Sequence, residues 1–310
     1  MLIKIDGKER KLPDFLVVGA ARSGTTSMYM YLSQHPGIFM PSVKEPSFFC
    51  YAEGLPFDGS FSRAMTLEQY CSLFAPAASG QCIGEVSPMY MVYCNETIKA
   101  VKDFYGKGEV EPAIVMILRD PVSRAFSHFT TKHSRGLEPK PFEEAVRDEV
   151  VRQRIASGWP ASYDYVGLGR YYEKVRLYKE NFSRVRVYLY EDLTKRPQWL
   201  MKDLFGFIGV DDSFVPSDLG KRFNSAGLPK TPLHAAAYKL LTRYNPAAFL
   251  ARRLLHERTK TKLLKMLRGR LFSSNGAGLD AETEARLRAD FREDILKLQD
   301  LIRRDLSGWL

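Results

Sequence analysis

The stretch FLVVGAARSGTT, Phe15 to Thr26, decides how this chain is read. Phe15 to Val18 is a short apolar run closed by a glycine, the pattern of a fully buried strand. Gly19 and Gly24 frame a tight turn, and Ser27 to Gln34 reads as a helix stopped by His35-Pro36-Gly37. A glycine turn between strand and helix offers backbone N–H groups and the positive end of the helix dipole to an anion. The spacing is that of the phosphate loop G-x-x-x-x-G-K-S/T with one change. Thr25 stands where the lysine belongs, and the nearby cation is Arg22, inside the loop. Such a turn suits a phosphate not chelated by magnesium. Its candidate ligands are Arg22, Ser23, Gly24, Thr25, Thr26 and Ser27.

Two more strands follow downstream. PAIVMIL, Pro112 to Leu118, is apolar, β-branched and too short for a core helix, and VRVYL, Val185 to Leu189, repeats the pattern. Helical segments come after each, Val122 to Lys132 and Trp199 to Ile208, the latter ending at Gly209. Strands alternating with helices predict an α/β fold, a P-loop-like central parallel sheet with helices on both faces. Ligands bind such sheets at the carboxyl ends of the strands. Two unusual turns fall at that edge, Gly19 to Thr26 and Arg119 to Arg124. Ala281 to Leu310 has helical spacing through Leu287, Phe291, Ile295 and Leu298 and is expected to pack on the core. The whole chain, 1–310, reads as one domain.

The second turn, LRDPVSRAFSHF, offers a second anion site. Arg119 ends a buried strand, and Ser127 lies on the following helix. Together they can hold a phosphate by a forked, charge-assisted contact and a hydroxyl. The plain alternative is a structural pair between Arg119 and a carboxylate. Asp120 invites comparison with a magnesium-binding acid, but Asp-Pro is a common turn initiator. The third stretch, KEPSFF from Lys44 to Phe49, puts Glu45 between a cation and a proline among aromatic residues. A carboxylate so shielded is a candidate base. Its plain alternative is a Lys44–Glu45 surface pair.

Taken in chain order, these three elements resemble the sulfotransferases that use 3′-phosphoadenosine-5′-phosphosulfate (PAPS), especially bacterial relatives of the heparan-sulfate and Golgi carbohydrate enzymes. The resemblance implies that Arg22 and the Gly24–Thr26 turn bind the 5′-phosphosulfate. It implies that Arg119, Arg124 and Ser127 bind the 3′-phosphate, and that Glu45 is the catalytic base. PAPS is then the co-substrate, PAP the product, and no metal is required. Phe48, Phe49, Tyr51, Lys221, Arg222 and Lys230, with Lys44, are expected to line or close the acceptor cleft. Two departures stand out. GEVSPMY, Gly84 to Tyr90, has Val86 where the animal enzymes carry lysine, and Ser47 replaces a common histidine. Lys44 is a possible substitute for the first. The small-molecule branch of the family uses a histidine base, so His128 is the rival to Glu45. As the helix neighbour of Ser127 it is expected to point away.

The formal charge of +10 over 310 residues agrees with an anionic partner. It is concentrated in Tyr238 to Leu271, where arginines and lysines alternate with leucines. The segment 233–275 therefore reads as a basic helical excursion, either a solvated face or a surface for membrane or substrate. Four cysteines without a C-x-x-C pair signal neither disulfides nor zinc. The opening MLIKIDGKERKLPDF carries no apolar leader, and apolar runs are too short to cross a bilayer. The expectation is a cytoplasmic transferase, peripheral to the membrane at most, acting on the hydroxyl of a carbohydrate, glycolipid or secondary metabolite and not on nucleic acid. Two other classes compete. A P-loop kinase or NTPase would show magnesium-dependent turnover of ATP. A non-catalytic binder of anionic surfaces would bind vesicles or DNA without affinity for PAP.

Overall fold

The computed structural model describes residues 1–5, 7–50, 65–106, 110–220, 228–229, 272–273 and 279–310. Its strands are β1 (Leu2–Ile5), β2 (Lys8–Lys11), β3 (Phe15–Gly19), β4 (Ile38–Phe39), β5 (Cys82–Val86), β6 (Ala113–Leu118), β7 (Val185–Leu189), β8 (Leu228–Pro229) and β9 (Phe272–Ser273). Its helices, numbered over the described residues, are α1 (Thr25–Leu32), α2 (Leu67–Ser72), α3 (Cys94–Tyr105), α4 (Pro121–Ser134) and α5 (Phe142–Ala145). They continue with α6 (Asp148–Ala156), α7 (Tyr172–Asn181), α8 (Tyr190–Lys195), α9 (Pro197–Ile208) and α10 (Ala281–Ile302).

Five strands form one parallel sheet in the order β4-β5-β3-β6-β7. The alternation of side chains divides the core in two. Leu16, Val18, Ile114, Met116 and Leu118 face a layer that includes residues of α3, α4, α7 and α10. Phe15, Val17, Ala113, Val115 and Ile117 face α1, α8 and α9. Both faces are covered, so the inner strands read as unbroken apolar runs. The P-loop-like parallel sheet expected from the sequence is the fold observed.

Element ends differ by local chemistry. The α4 helix begins at Pro121, preorganised for the first helical position, with the Asp120 side chain accepting from Ser123 N at 2.5 Å. Asp120 is therefore a helix cap, as its Asp-Pro context predicts. α9 likewise starts at Pro197, before the expected Trp199. α10 stops at Ile302, where Arg303 takes φ 52°, and a short turn at Ser307–Trp309 finishes the chain. Leu287, Phe291, Ile295 and Leu298 are buried, so this helix does pack on the core. Most of the basic segment 233–275 lies outside the described residues. Within it, Phe272–Ser273 is a strand paired antiparallel with Leu228–Pro229, and not part of the helical excursion expected for 233–275. Among the described residues no helix is long and apolar enough to cross a membrane.

Candidate active site

The site forms at the carboxyl edge of the sheet, where β3, β4, β5, β6 and β7 all release their chains. Gly24, at φ 101°, caps α1, and no side chain caps that helix end. A β-carbon there would meet Leu193 Cδ2 at 2.5 Å and the Tyr190 ring at 3.3 Å, so both backbone and packing demand glycine. The helix start is thus left open to an anion from the chain's outside.

Arg22 sits in the turn at φ 70°, and its Nε and Nη2 both donate to Ser127 Oγ at 3.4 Å. The two turns therefore meet in one site. Arg119 Nη1 donates to the Arg22 carbonyl at 3.3 Å, and its guanidinium lies 4.8 Å over the Tyr190 ring. Those contacts, and not a carboxylate pair, hold Arg119 in the described structure. Tyr171 fixes the same turn by donating its hydroxyl to the Arg119 carbonyl at 2.9 Å.

Lys44 occupies the centre. Its ammonium donates to Thr26 Oγ1 at 2.8 Å and to Glu45 Oε1 at 2.6 Å. Both partners of the Lys44–Glu45 pair are half-buried. The Lys44–Glu45 pair of the plain alternative is present, and it is joined to Thr26 as well. A cation missing from the glycine turn is here supplied from the β4 side. Val86, at the position where a lysine was considered, is buried in the apolar layer with Met28 and Leu32. Its side chain faces the core on the α1 side of the sheet.

Several expected ligands are placed elsewhere. Ser23 is fully buried, and its amide donates to the Ala20 carbonyl at 3.2 Å within the turn. Arg124 is fully buried, with Nη2 donating to the Tyr165 carbonyl, and it serves the core beneath α4. Phe49, 2% exposed, packs with Tyr70, Tyr90 and Phe104, and is core, not cleft. Phe48 stacks on Tyr70 at 4.3 Å between ring centroids. Thr25 and Ser27 are buried in the first turn of α1, and Thr26 is half-exposed. Tyr51, Lys221, Arg222 and Lys230 lie outside the described residues.

The rival base, His128, faces Arg124 and Tyr165. Its Nδ1 is 3.4 Å from Arg124 Nη1 and its ring lies edge-on to Tyr165. Burial first, then the charges of Arg124, Lys132 and Arg22, hold its pKa well below the usual imidazole range. His35 is structural: Gly37 N donates to its Nδ1, and its Nε2 meets the Asp211 carbonyl at 2.9 Å.

Two contributors escaped sequence reasoning. Tyr190 links Arg119 to Gly24 and opens α8 directly after β7. Glu85 is fully buried on β5. A charged residue between apolar neighbours in CIGEV was the available signal for the second. Tyr190 had none, because its role depends on two distant turns.

The region 12–217 matches the family model described as the sulfotransferase domain. The chain is 34% identical over 156 residues to the membrane-associated sulfotransferase kil1 of Dictyostelium discoideum, covering 48% of this chain and 30% of that protein. It is 23% identical over 212 residues to heparan sulfate glucosamine 3-O-sulfotransferase 3A1 of Mus musculus, covering 68% and 49%. These matches span no more than half the length of either relative. The crystal structure of a sulfotransferase from Alicyclobacillus acidocaldarius superposes with TM-score 0.70 at 26% identity, covering 96% of this chain and 99% of that one. With the glycine turn, its two arginines and the Lys44–Glu45 pair gathered at one sheet edge, this chain belongs to the sulfotransferase family.

Proposed function

We propose that this sulfotransferase moves the sulfuryl group of PAPS to an acceptor hydroxyl, with Glu45 as general base. The observation that carries the reading is the position of Lys44 Nζ, within hydrogen-bond distance of both Thr26 and Glu45. It joins the anion-binding turn to a carboxylate, the two functions that a transfer from phosphosulfate to a hydroxyl requires side by side. The residues present fit the nucleotide. The uncapped first turn of α1, Arg22 and Lys44 suit the 5′-phosphosulfate, and Arg119 with Ser127 suits the 3′-phosphate.

In the reaction the acceptor oxygen forms a bond to sulfur as the bond from sulfur to the bridging phosphate oxygen breaks. The electron pair of that bond leaves with the 5′-phosphate, and the acceptor proton passes to a Glu45 carboxylate oxygen. Charge growing on the departing phosphate is met by Arg22, Lys44 and the turn amides, donors already in place before reaction. An in-line transfer would set the departing phosphate against Arg22 and the turn amides, with the acceptor hydroxyl beside Glu45. A carbohydrate hydroxyl is the acceptor class favoured by the heparan sulfate relative.

Incubation with radiolabelled PAPS and a host-cell glycan extract tests this reading. Label should pass to a glycan fraction, and PAP should accumulate in equal amount. Magnesium-dependent ATP turnover without sulfuryl transfer would overturn it.

A further inference from the structure

Beneath the KEPSFF turn lies a buried carboxylate that the transfer chemistry does not use. Glu85 is 0% exposed, and its strand neighbour across the sheet is Leu16 on β3. Tyr70 donates its hydroxyl to Oε2, and Ser87 donates to Oε1 at 2.6 Å. A hydrogen bond with Tyr90 also favours the ionised form. An ionised carboxylate only accepts, so each hydroxyl that donates to it keeps its lone pairs for another donor.

Those lone pairs are used on one segment. Ser87 Oγ accepts from Ser47 N at 3.0 Å, and the Tyr90 hydroxyl accepts from Phe49 N at 3.3 Å. Ser87 is itself anchored to the sheet, its amide donating to the Val17 carbonyl at 3.1 Å. Ser47 Oγ in turn donates to the Glu45 carbonyl at 3.3 Å. The same segment holds Glu45 at φ 58° and Ser47 at φ 56°. Residues other than glycine rarely adopt such angles, and these strained conformations persist only where the surroundings impose them. Here the surroundings are two oriented hydroxyls on a single buried acid.

We infer that Glu85 is a positioning residue: it orients Ser87 and Tyr90 to accept the Ser47 and Phe49 amides, and so holds Glu45 beside Lys44 and the glycine turn. The inference rests on the reading of Glu45 as the base. Burial raises the Glu85 pKa, while the bonds from Ser87, Tyr70 and Tyr90 counter that rise. The groups around it, Tyr70, Tyr90, Tyr105 and Cys50, are neutral acids whose own pKa values burial raises. The carboxylate is thus held by hydroxyl donors in place of a cation, which leaves those hydroxyls fixed in direction.

The test uses full-length Ser87→Ala, Tyr90→Phe and Glu85→Gln, so that a failure of the last to fold leaves two variants. Amide hydrogen exchange at Ser47 should speed up about tenfold in Ser87→Ala, the worth of one lost hydrogen bond, and exchange at Phe49 should rise in Tyr90→Phe. Transfer from radiolabelled PAPS to the glycan extract should fall, with PAP affinity within about twofold of wild type, since no phosphate contact changes. Ser87→Ala combined with Glu45→Gln should be no slower than Glu45→Gln alone, because both act through one carboxylate. Unchanged exchange at both amides, or losses that multiply, would overturn the inference. A fully active Glu45→Gln would defeat the base assignment instead, and the exchange rates would still judge whether Glu85 holds the turn.

Discussion

Lys44 Nζ and Thr26 Oγ1 are 2.8 Å apart, which ties the segment after β4 to the first turn of α1. A lysine in the glycine turn would reach its phosphate from inside the loop. Here the ammonium arrives from across the cleft and keeps its second contact on Glu45. One cation therefore joins the first turn of α1 to Glu45.

Replacing Lys44 with methionine keeps the length of the chain and removes the charge. Transfer should fall by roughly 10²-fold, the usual worth of one donor aimed at developing charge. PAP affinity should fall less, because PAP lacks the sulfuryl group. Steady-state rates with labelled PAPS and calorimetric titration with PAP separate the two effects. A variant with normal turnover would remove Lys44 from the mechanism.

Arg119 and Ser127 are assigned to the 3′-phosphate, so PAP should stabilise the fold far more than adenosine 5′-monophosphate. At about a hundredfold excess over its dissociation constant the gain should be about 2.7 kcal/mol. Arg119→Ala should shrink that gain while leaving the weaker nucleotide nearly unaffected. Arg22→Ala should depress turnover more than binding. Thermal shifts that are equal for both nucleotides would contradict a 3′-phosphate site.

The chain's own sequence made the sheet and the turns legible, because FLVVG, AIVMIL and VRVYL are short apolar runs that end in glycine, arginine or a helix start. β5 was harder, since CIGEV places a glycine and a glutamate in a buried strand, and β4 has only two residues. Arg22, Glu45 and Lys44 could be picked out singly by residue type and neighbours. Their meeting could not, because Lys44 and Thr26 approach only when the segment after β4 folds across α1. Phe49 misled for a related reason: an aromatic beside a candidate base reads equally well as cleft or core, and only packing against Tyr70 and Tyr90 decides.

Asp192 supports the site from behind. It lies on α8 with Tyr190, accepts from the Leu189 amide, and is bound by Arg196 and by both terminal nitrogens of Arg304. Burial pushes its pKa up, but the bonds from Arg304, Leu189 and Arg196 more than offset this and hold it below the usual carboxylate value. Its contribution to stability is therefore complete above about pH 4, the ordinary aspartate pKa. It is lost as pH falls further, through the folded-state pKa. Asp192→Asn should cost about 2 kcal/mol at neutral pH, and urea melts should show that gap closing below about pH 4. A gap independent of pH would place the effect in packing and not in charge.

The proposed mechanism turns on which group takes the acceptor proton. Glu45 adjoins Lys44 and the glycine turn. His128 is turned toward Arg124 and Tyr165, with its pKa held low. The direct measurement is the single-turnover rate of labelled transfer in Glu45→Gln and His128→Ala, each at saturating PAPS. Glu45→Gln should be slower by roughly 10²–10⁴-fold, the range for loss of a positioned base, with PAP affinity near wild type. His128→Ala should retain most of the wild-type rate. An inactive His128 variant beside an active Glu45→Gln would contradict the account and give the proton to the histidine.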